Sequence, residues 1–421
     1  MKTDLDPIMQ ARKIDALLVL GDAEHNSPMY YLTGGGHVNA ATLIKPRGEA
    51  ATLFHSDIER EEAAKTGLKT VSYSKYSLKE LRKEAAGDML KIAALRLKKM
   101  LADCGVTSGR VGVYGHTDLS DSFLMLVTAQ KLMPEVEFIG ESGMDSVFLQ
   151  AMETKTADEI ARIREMGRIT TEVVGQVKDF LTEHAVGADE VLLKSDGKPL
   201  TISDVKAKIN LWLAERGAEN PESTIFSIGR DAGFPHSVGT PSDPIRLGKT
   251  IIFDIFPCEA GGGYFYDFTR TWCLGYAPEA EQKLYDEVRE VYETIIAKLE
   301  SGMPFGAVQR LTCELFEAQG HPSPLNTDAP LEGYVHSVGH GLGVNVHERP
   351  WARMEQKDGL LQPGVVFTIE PGLYYPERGM GVRIENTYWA RPDGTFERLA
   401  EFDFGLVLEM KNNHESTQIF M

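Results

Sequence analysis

Between residues 254 and 385 this chain spaces two aspartates, one histidine and two glutamates so that strands far apart in sequence must converge on one charged point. Asp254 stands inside the apolar run TIIFDIF, Asp267 follows the Gly261-Gly262-Gly263 turn in GGGYFYDFTRT, His340 sits in HSVGHGLG, Glu370 in TIEPGLYY and Glu385 in GVRIEN. An ionised acid in an apolar strand is costly unless it is paired or coordinates a cation. Hard oxygen donors with a single imidazole suit Mn(II), Fe(II), Co(II) or Zn(II), and carboxylates can bridge two cations about 3.5 Å apart. The set predicts a dinuclear metal site and metal-assisted hydrolysis.

Strand alternation puts Ile252, Asp254 and Phe256 on one face and Phe253 and Ile255 on the other. Taken alone, Asp254 also reads as a core aspartate held by an arginine. A hairpin that returns Asp267 to the same side 13 residues later favours the carboxylate pair. In GVRIEN, Arg383 and Glu385 share a face, so Arg383 is a candidate to orient a ligand carboxylate; the alternative is a surface Arg–Glu pair of small energetic value. Glu370 precedes Pro371-Gly372, a strand end from which a side chain can project into a cleft.

His336, His340 and His347 fall within 12 residues. A helical zinc-protease motif needs Glu immediately after its first histidine, where Ser337 stands, and Gly339, Gly341 and Gly343 oppose a helix, so the segment reads as a glycine-rich loop or strand. His236 lies in a loop marked by Gly233, Pro235, Gly239 and Pro241. His25, His37, His55 and His414 carry no such signal and read as solvated. Cys258, four residues after Asp254, is a poor match to an oxygen-rich site and reads as a loop cysteine without a ligand role.

At 421 residues the chain exceeds the size of a single core, so two domains are expected. A formal charge of −18, from 62 acidic and 44 basic residues, argues against a nucleic-acid partner. Asp4, Asp6 and Asp15 interrupt any signal-peptide core, and no run approaches the roughly 18 apolar residues of a membrane span, which makes the cytoplasm the simplest location. Four cysteines without CxxC spacing do not make a disulfide scaffold.

The first 150 residues alternate strand signals (DALLVLG, AATLIKP, EAATLFH, RVGVYG) with helical ones, including one long charged helix over KELRKEAAGDMLKIAALRLKKMLADCG, and read as an α/β domain with a mixed sheet. Thr156 and Glu159 form a capping box opening a long amphipathic helix, which places a second domain at 153–421. There, strands at STIFSIG, TIIFDIFP, YFYDFTRTWCLG, GVVFTIEP, GVRIENTYWA and FERLAEFDF surround helices at about 278–300 and 305–319, as a sheet curved around a cleft.

In the order PHSVGTPSD, FDIFP, YDFTRT, HSVGHGLGVNVHE, LQPGVVFTIEPGLYY and GVRIEN, residues 153–405 resemble the pita-bread metallopeptidases, the family of methionine aminopeptidase, aminopeptidase P and prolidase. Residues 1–150 resemble the creatinase-like N-terminal domain of the last two. The resemblance implies an α/β (α+β) chain whose catalytic domain carries a curved antiparallel sheet, and two divalent ions, Mn(II) with Co(II), Zn(II) or Fe(II) as alternatives. Asp254 would chelate one ion, Asp267 and Glu385 would bridge both, and His340 and Glu370 would complete the other. Many members have 11 residues between the two aspartate positions, against 13 here, and the 11-residue position is Phe256.

By the same resemblance, a metal-bridging hydroxide would attack an Xaa-Pro bond with Glu370 as general base, His347 stabilising the oxyanion, His236 contacting the leaving nitrogen and His336 lining the prolyl site. The substrate would be a proline-containing peptide and the assembly a homodimer. Arg353 and Lys357 are imperfect matches to the cation a prolidase needs for a free carboxylate, which tips the expectation slightly towards aminopeptidase P. Other uses of the scaffold are metal-free creatinase-type hydrolysis, metal-dependent lyase chemistry and a non-enzymatic binding module; the intact ligand set argues against the first and the last.

Overall fold

A computed structural model describes residues 4–411. The chain forms two compact units, one reaching to Met152 and taking in Gly261–Gly263, the other running from Glu153 to Ala260 and again from Tyr264 onward.

The first unit is built on a six-stranded mixed sheet of β1 (Ala16–Gly21), β2 (Ala41–Pro46), β3 (Thr52–His55), β4 (Lys69–Ser72), β5 (Gly109–His116) and β6 (Val136–Ile139), in the order β4-β3-β2-β1-β5-β6. β1 pairs antiparallel to β2 and parallel to β5, and its run ALLVL is buried because both faces are covered. The single long helix expected after β4 is two, α1 (Leu78–Glu84) and α2 (Met89–Asp103). Ala86 and Gly87 turn into the left-handed region (φ 51° and 84°), and the Asp88 side chain caps the new helix by accepting from Lys91 N. His55 is buried and hydrogen-bonds Ser56 O, contrary to the solvated reading, whereas His37 is exposed beside Glu24. His414 lies outside the described residues.

The second unit opens with the 26-residue α3 (Ala157–Thr182), whose N-terminus carries the expected Thr156–Glu159 capping box. Its buried stripe includes Ile160, Ile163 and Met166, and Gly167 lets it approach the Tyr266 ring so closely that a Cβ would lie 2.6 Å away. Strands β7 (Ile225–Ile228), β8 (Thr250–Ile255), β9 (Phe268–Leu274) and, late in the chain, Val407–Leu408 form one four-stranded sheet in that order. A five-stranded sheet contains β10 (His340–Gly341), β11 (Glu348–Trp351), β12 (Val366–Ile369), β15 (Asn386–Ala390) and β16 (Phe396–Arg398), in the order β11-β10-β12-β15-β16, while β13 (Gly372–Tyr375) pairs with β14 (Met380–Arg383). Helices at Glu279–Ala297 and Phe305–Ala318 bury Leu284, Val288, Tyr292, Phe305 and Phe316 in one core with Phe367, Leu373, Val382 and Tyr388. Among the described residues, no helix is long and apolar enough to cross a membrane.

Candidate metal centre

The segment GVRIENTYWA, expected as one strand, is two, and its partner TIEPGLYY is divided in the same place. β12 pairs with β15 through Ile369 and Asn386, and the ladder resumes between β13 and β14 at Gly372 and Arg383. Pro371 has no N–H to continue the ladder. At the interruption Glu370 N donates instead to Val338 O (2.8 Å), beside the histidine segment, and Glu385 N to Thr269 O (3.1 Å), on the strand after Asp267. Both glutamates therefore sit where a broken hairpin reaches towards the other two motifs.

Asp254 on β8 is opposite Thr269 on β9, and Asp267 immediately precedes β9. The connection between them folds back on itself: Cys258–Glu259 pairs with Ala218–Glu219, and Cys258 bridges to Phe265. Cys258 Sγ lies 3.7 Å from Glu219 Oε1, and burial followed by that carboxylate pushes the thiol upward, so it stays protonated.

Ligand atoms of Asp267, His340 and Glu385, all buried, lie within 4.8 Å of one another. His340 Nε2 is 3.5 Å from Asp267 Oδ2 and 3.5 Å from Glu370 Oε1. Its Nδ1 lies 3.0 Å from Gly341 O, which fixes Nε2 as the nitrogen facing the carboxylates. Asp254 joins through Arg383, whose Nη2 donates to Asp254 Oδ2 at 2.5 Å. The arginine-held aspartate and the carboxylate cluster are thus the same feature.

The glycines beside His340 are needed for packing. A Cβ at Gly339 would stand 2.1 Å from Thr368 O, and one at Gly341 1.9 Å from Arg349 O. These glycines let the His340 segment approach neighbouring strand backbone. Beneath the cluster Arg270, 1 % exposed, donates to Thr269 O, Glu385 O, Asp403 O and Asn386 Oδ1, tying β9 to the Glu385 turn. Thr269 Oγ1 donates to Glu385 Oε2 (2.7 Å) and Thr387 Oγ1 to Asp267 O (2.8 Å).

His336 borders this cluster, its Nδ1 3.9 Å from Glu370 Oε2. His336 is part-buried; its Nδ1–H donates to Ser337 O (2.7 Å), leaving Nε2 to accept from Tyr374 Oη (2.8 Å), and Tyr374 accepts in turn from Arg383 Nη1 (2.7 Å). Burial, and then the Arg383 charge, push His336 down to about 3, so its imidazole is neutral. His347 is exposed, with its ring 4.3 Å from that of His340. His236 is an exposed turn residue next to Pro235, whose carbonyl accepts from Arg383 Nη1 (3.1 Å). Arg353 and Lys357 are exposed; Lys357 lines a surface depression with Arg310 and Glu314.

Two residues of this network carried no sequence signal. Tyr374 bridges His336 and Arg383. Gln309 on the Phe305–Ala318 helix accepts from Val338 N (2.6 Å) and donates to His336 O (3.3 Å). Tyr374 stood in a quoted motif, but nothing in a one-dimensional pattern shows which neighbour a hydroxyl meets.

Asp267 and Glu385 are held well above the usual carboxylate range, first by burial and then by the other acids of the cluster, and Glu370 is raised first by burial. Asp254 Oδ1, Asp267 Oδ1 and Glu385 Oε1 are buried and make no hydrogen bond among the described residues. Buried oxygens of this kind require compensation, and aligned carboxylate oxygens with one imidazole are a donor set for divalent cations. The residues fit the metal.

In the metal-free protein these carboxyls bind protons more tightly folded than unfolded, so protons favour folding and stability falls as pH rises through the folded-state values. Chelated protein should gain melting temperature on acidification from about pH 8 to about pH 5.5, and a divalent cation should raise the melting temperature at the upper end and flatten that slope. A slope unchanged by metal would contradict it.

The model of "Metallopeptidase family M24" matches residues 161–392, and the chain belongs to that family of enzymes. It is 27 % identical over 369 residues to the Xaa-Pro dipeptidase of Pyrococcus furiosus, covering 87 % of this chain and 89 % of that one. Xaa-Pro aminopeptidase 1 of Streptomyces coelicolor is 27 % identical over 397 residues, covering 86 % and 74 %. The prolidase structure from Pyrococcus horikoshii superposes with a TM-score of 0.71 at 22 % identity, over 96 % of this chain and 98 % of that one. The fold is the pita-bread metallopeptidase fold, and family membership implies divalent metal ions.

Proposed function

We propose that this chain is a dinuclear-metal peptidase that cleaves the Xaa-Pro bond, with Asp254, Asp267, His340, Glu370 and Glu385 holding the two cations. The observation that carries the reading is the convergence of four carboxylates and one imidazole at a broken hairpin, with three buried oxygens unpartnered. The choice of bond is supported by relatives named Xaa-Pro dipeptidase and Xaa-Pro aminopeptidase. When bound, divalent cations supply Lewis acidity that polarises a carbonyl and acidifies water.

The chain's own residues do the rest. Glu370 Oε1 faces His340, leaving Oε2 to take the proton of the attacking water and pass it to the prolyl nitrogen. His347 donates to the developing oxyanion. His236 contacts the leaving nitrogen, and His336, kept neutral and fixed by Tyr374, lines the prolyl site. Arg383 holds Asp254 in orientation. An Xaa-Pro amide has no N–H for a backbone acceptor to hold, and none of these contacts needs one.

Mn(II) as the metal, a homodimer as the assembly, a creatinase-like role for residues 1–150 and a cytoplasmic location complete the reading. Against the slight lean of the sequence towards aminopeptidase P, dipeptides are taken as the preferred substrates, on the strength of the dipeptidase relative matched over nearly nine-tenths of both chains. The test is a panel of Ala-Pro, Ala-Pro-Ala and Ala-Ala with Mn(II), Co(II) or Zn(II) supplied. Ala-Pro should turn over fastest and Ala-Ala should be inert. Faster cleavage of Ala-Pro-Ala would reassign the enzyme to the aminopeptidase branch, and hydrolysis of neither prolyl peptide would overturn the proposal.

A further inference from the structure

Among the described residues the charged pair Lys155–Glu348 lies deeply buried away from the metal site, with side chains 2 % and 0 % exposed and Nζ 2.9 Å from Oε2. Such a pair contributes little to stability, because desolvation offsets the Coulombic gain, and a well-packed apolar replacement is often as stable. Its position suggests a different use. Glu348 immediately follows His347 and ends the tight loop that leaves β10 at Gly341.

Within that loop the Glu348 carboxylate folds inward. Oε1 accepts from Asn345 N (3.0 Å) and Asn345 Nδ2 (3.3 Å), while Oε2 takes Lys155. It occupies the space where a side chain at Gly343 would lie, 2.4 Å from that residue's absent Cβ. The other end of the clamp is anchored: Lys155 N donates to Gly364 O (2.8 Å), and Glu153, two residues earlier, pairs with Arg349 at 2.7 Å. The His347 ring makes no hydrogen bond among the described residues, so its place depends on its backbone and on the His340 ring it packs against.

We propose that Lys155 and Glu348 are positioning residues for His347, the buried carboxylate acting as the peg around which the loop carrying that histidine is wound. The proposal rests on the reading of His347 as the oxyanion donor. What positions the loop is the acceptor atom at Oε1; the lysine holds that acceptor in place and neutralises its charge.

The test uses the full-length, metal-loaded protein and the faster of Ala-Pro and Ala-Pro-Ala. Lys155→Met with Glu348→Leu removes the acceptor and both charges together. It should bind the same amount of metal yet lose about tenfold or more in kcat, with KM little changed. Lys155→Met with Glu348→Gln, whose amide oxygen again accepts from Asn345 N, should recover most of the loss. On a His347→Ala background the Leu-containing pair should cost nothing further, because a residue acting through His347 has no effect once that ring is gone.

Should the Leu-containing pair not fold, Gly343→Ala pushes the carboxylate aside without altering charge and should give the same two results. An undiminished penalty on the His347→Ala background, or full kcat in the Leu-containing pair, overturns the positioning role while leaving the oxyanion reading intact. Full kcat in His347→Ala itself overturns both.

Discussion

On the proposed mechanism Glu370→Gln should lower kcat for Xaa-Pro hydrolysis by about 10²–10⁴-fold, the range of a positioned general base and acid, and excess metal should not restore it. The amide keeps an oxygen for Thr368 Oγ1, 3.5 Å away, and for a cation, but it cannot accept and return a proton. KM should change far less than kcat, because a proton transfer made only in the transition state contributes little to ground-state binding. Steady-state kinetics at saturating metal check this. A variant retaining more than about a tenth of wild-type kcat would place the proton transfer elsewhere.

Glu385→Gln should move function and stability in opposite directions. The Thr269 Oγ1 hydrogen bond at 2.7 Å survives on the amide oxygen, so local packing is kept. One negative charge leaves a buried cluster in which Asp267, Glu370 and Asp254 all raise the Glu385 carboxyl. In chelator the variant should melt higher than chelated wild type by several degrees, since one kcal/mol moves a domain of this size by about 2–4 °C. In metal it should melt lower than wild type, bind less than a full complement and lose activity. A chelated variant that melts lower would show that Glu385 serves structure before metal.

Local signals in the sequence located most elements of the second unit. Thr156 and Glu159 marked the start of the long helix because a capping box is a contact between neighbours. TIIFDIF was legible as a strand because apolar β-branched residues have few other uses. The division of GVRIENTYWA was not legible, since it arises from Pro371 on the partner strand and from a backbone bond to Thr269 more than a hundred residues away. The same holds for the first-unit helix broken at Ala86–Gly87, where apolar periodicity ran through a left-handed turn.

Site residues divide along the same line. Asp254 stood out because a buried acid is expensive and asks for a partner, and Asp267, His340, Glu370 and Glu385 because oxygen donors with a single imidazole suit divalent cations. Tyr374, Gln309, Lys155 and Glu348 did not, because their roles are contacts with residues distant in sequence or with loop backbone. Arg383 was anticipated from its shared face with Glu385, yet its ion pair is with Asp254, on a strand of another sheet.

In the proposed site five side chains hold two divalent ions on which peptide hydrolysis depends. One titration tests it: chelated protein is supplied with Mn(II) while bound metal and Ala-Pro turnover are followed on the same preparation. Activity should be absent without metal and rise to a plateau as the second ion per chain binds. Turnover that survives chelation, or a plateau reached with no metal bound, would contradict the account.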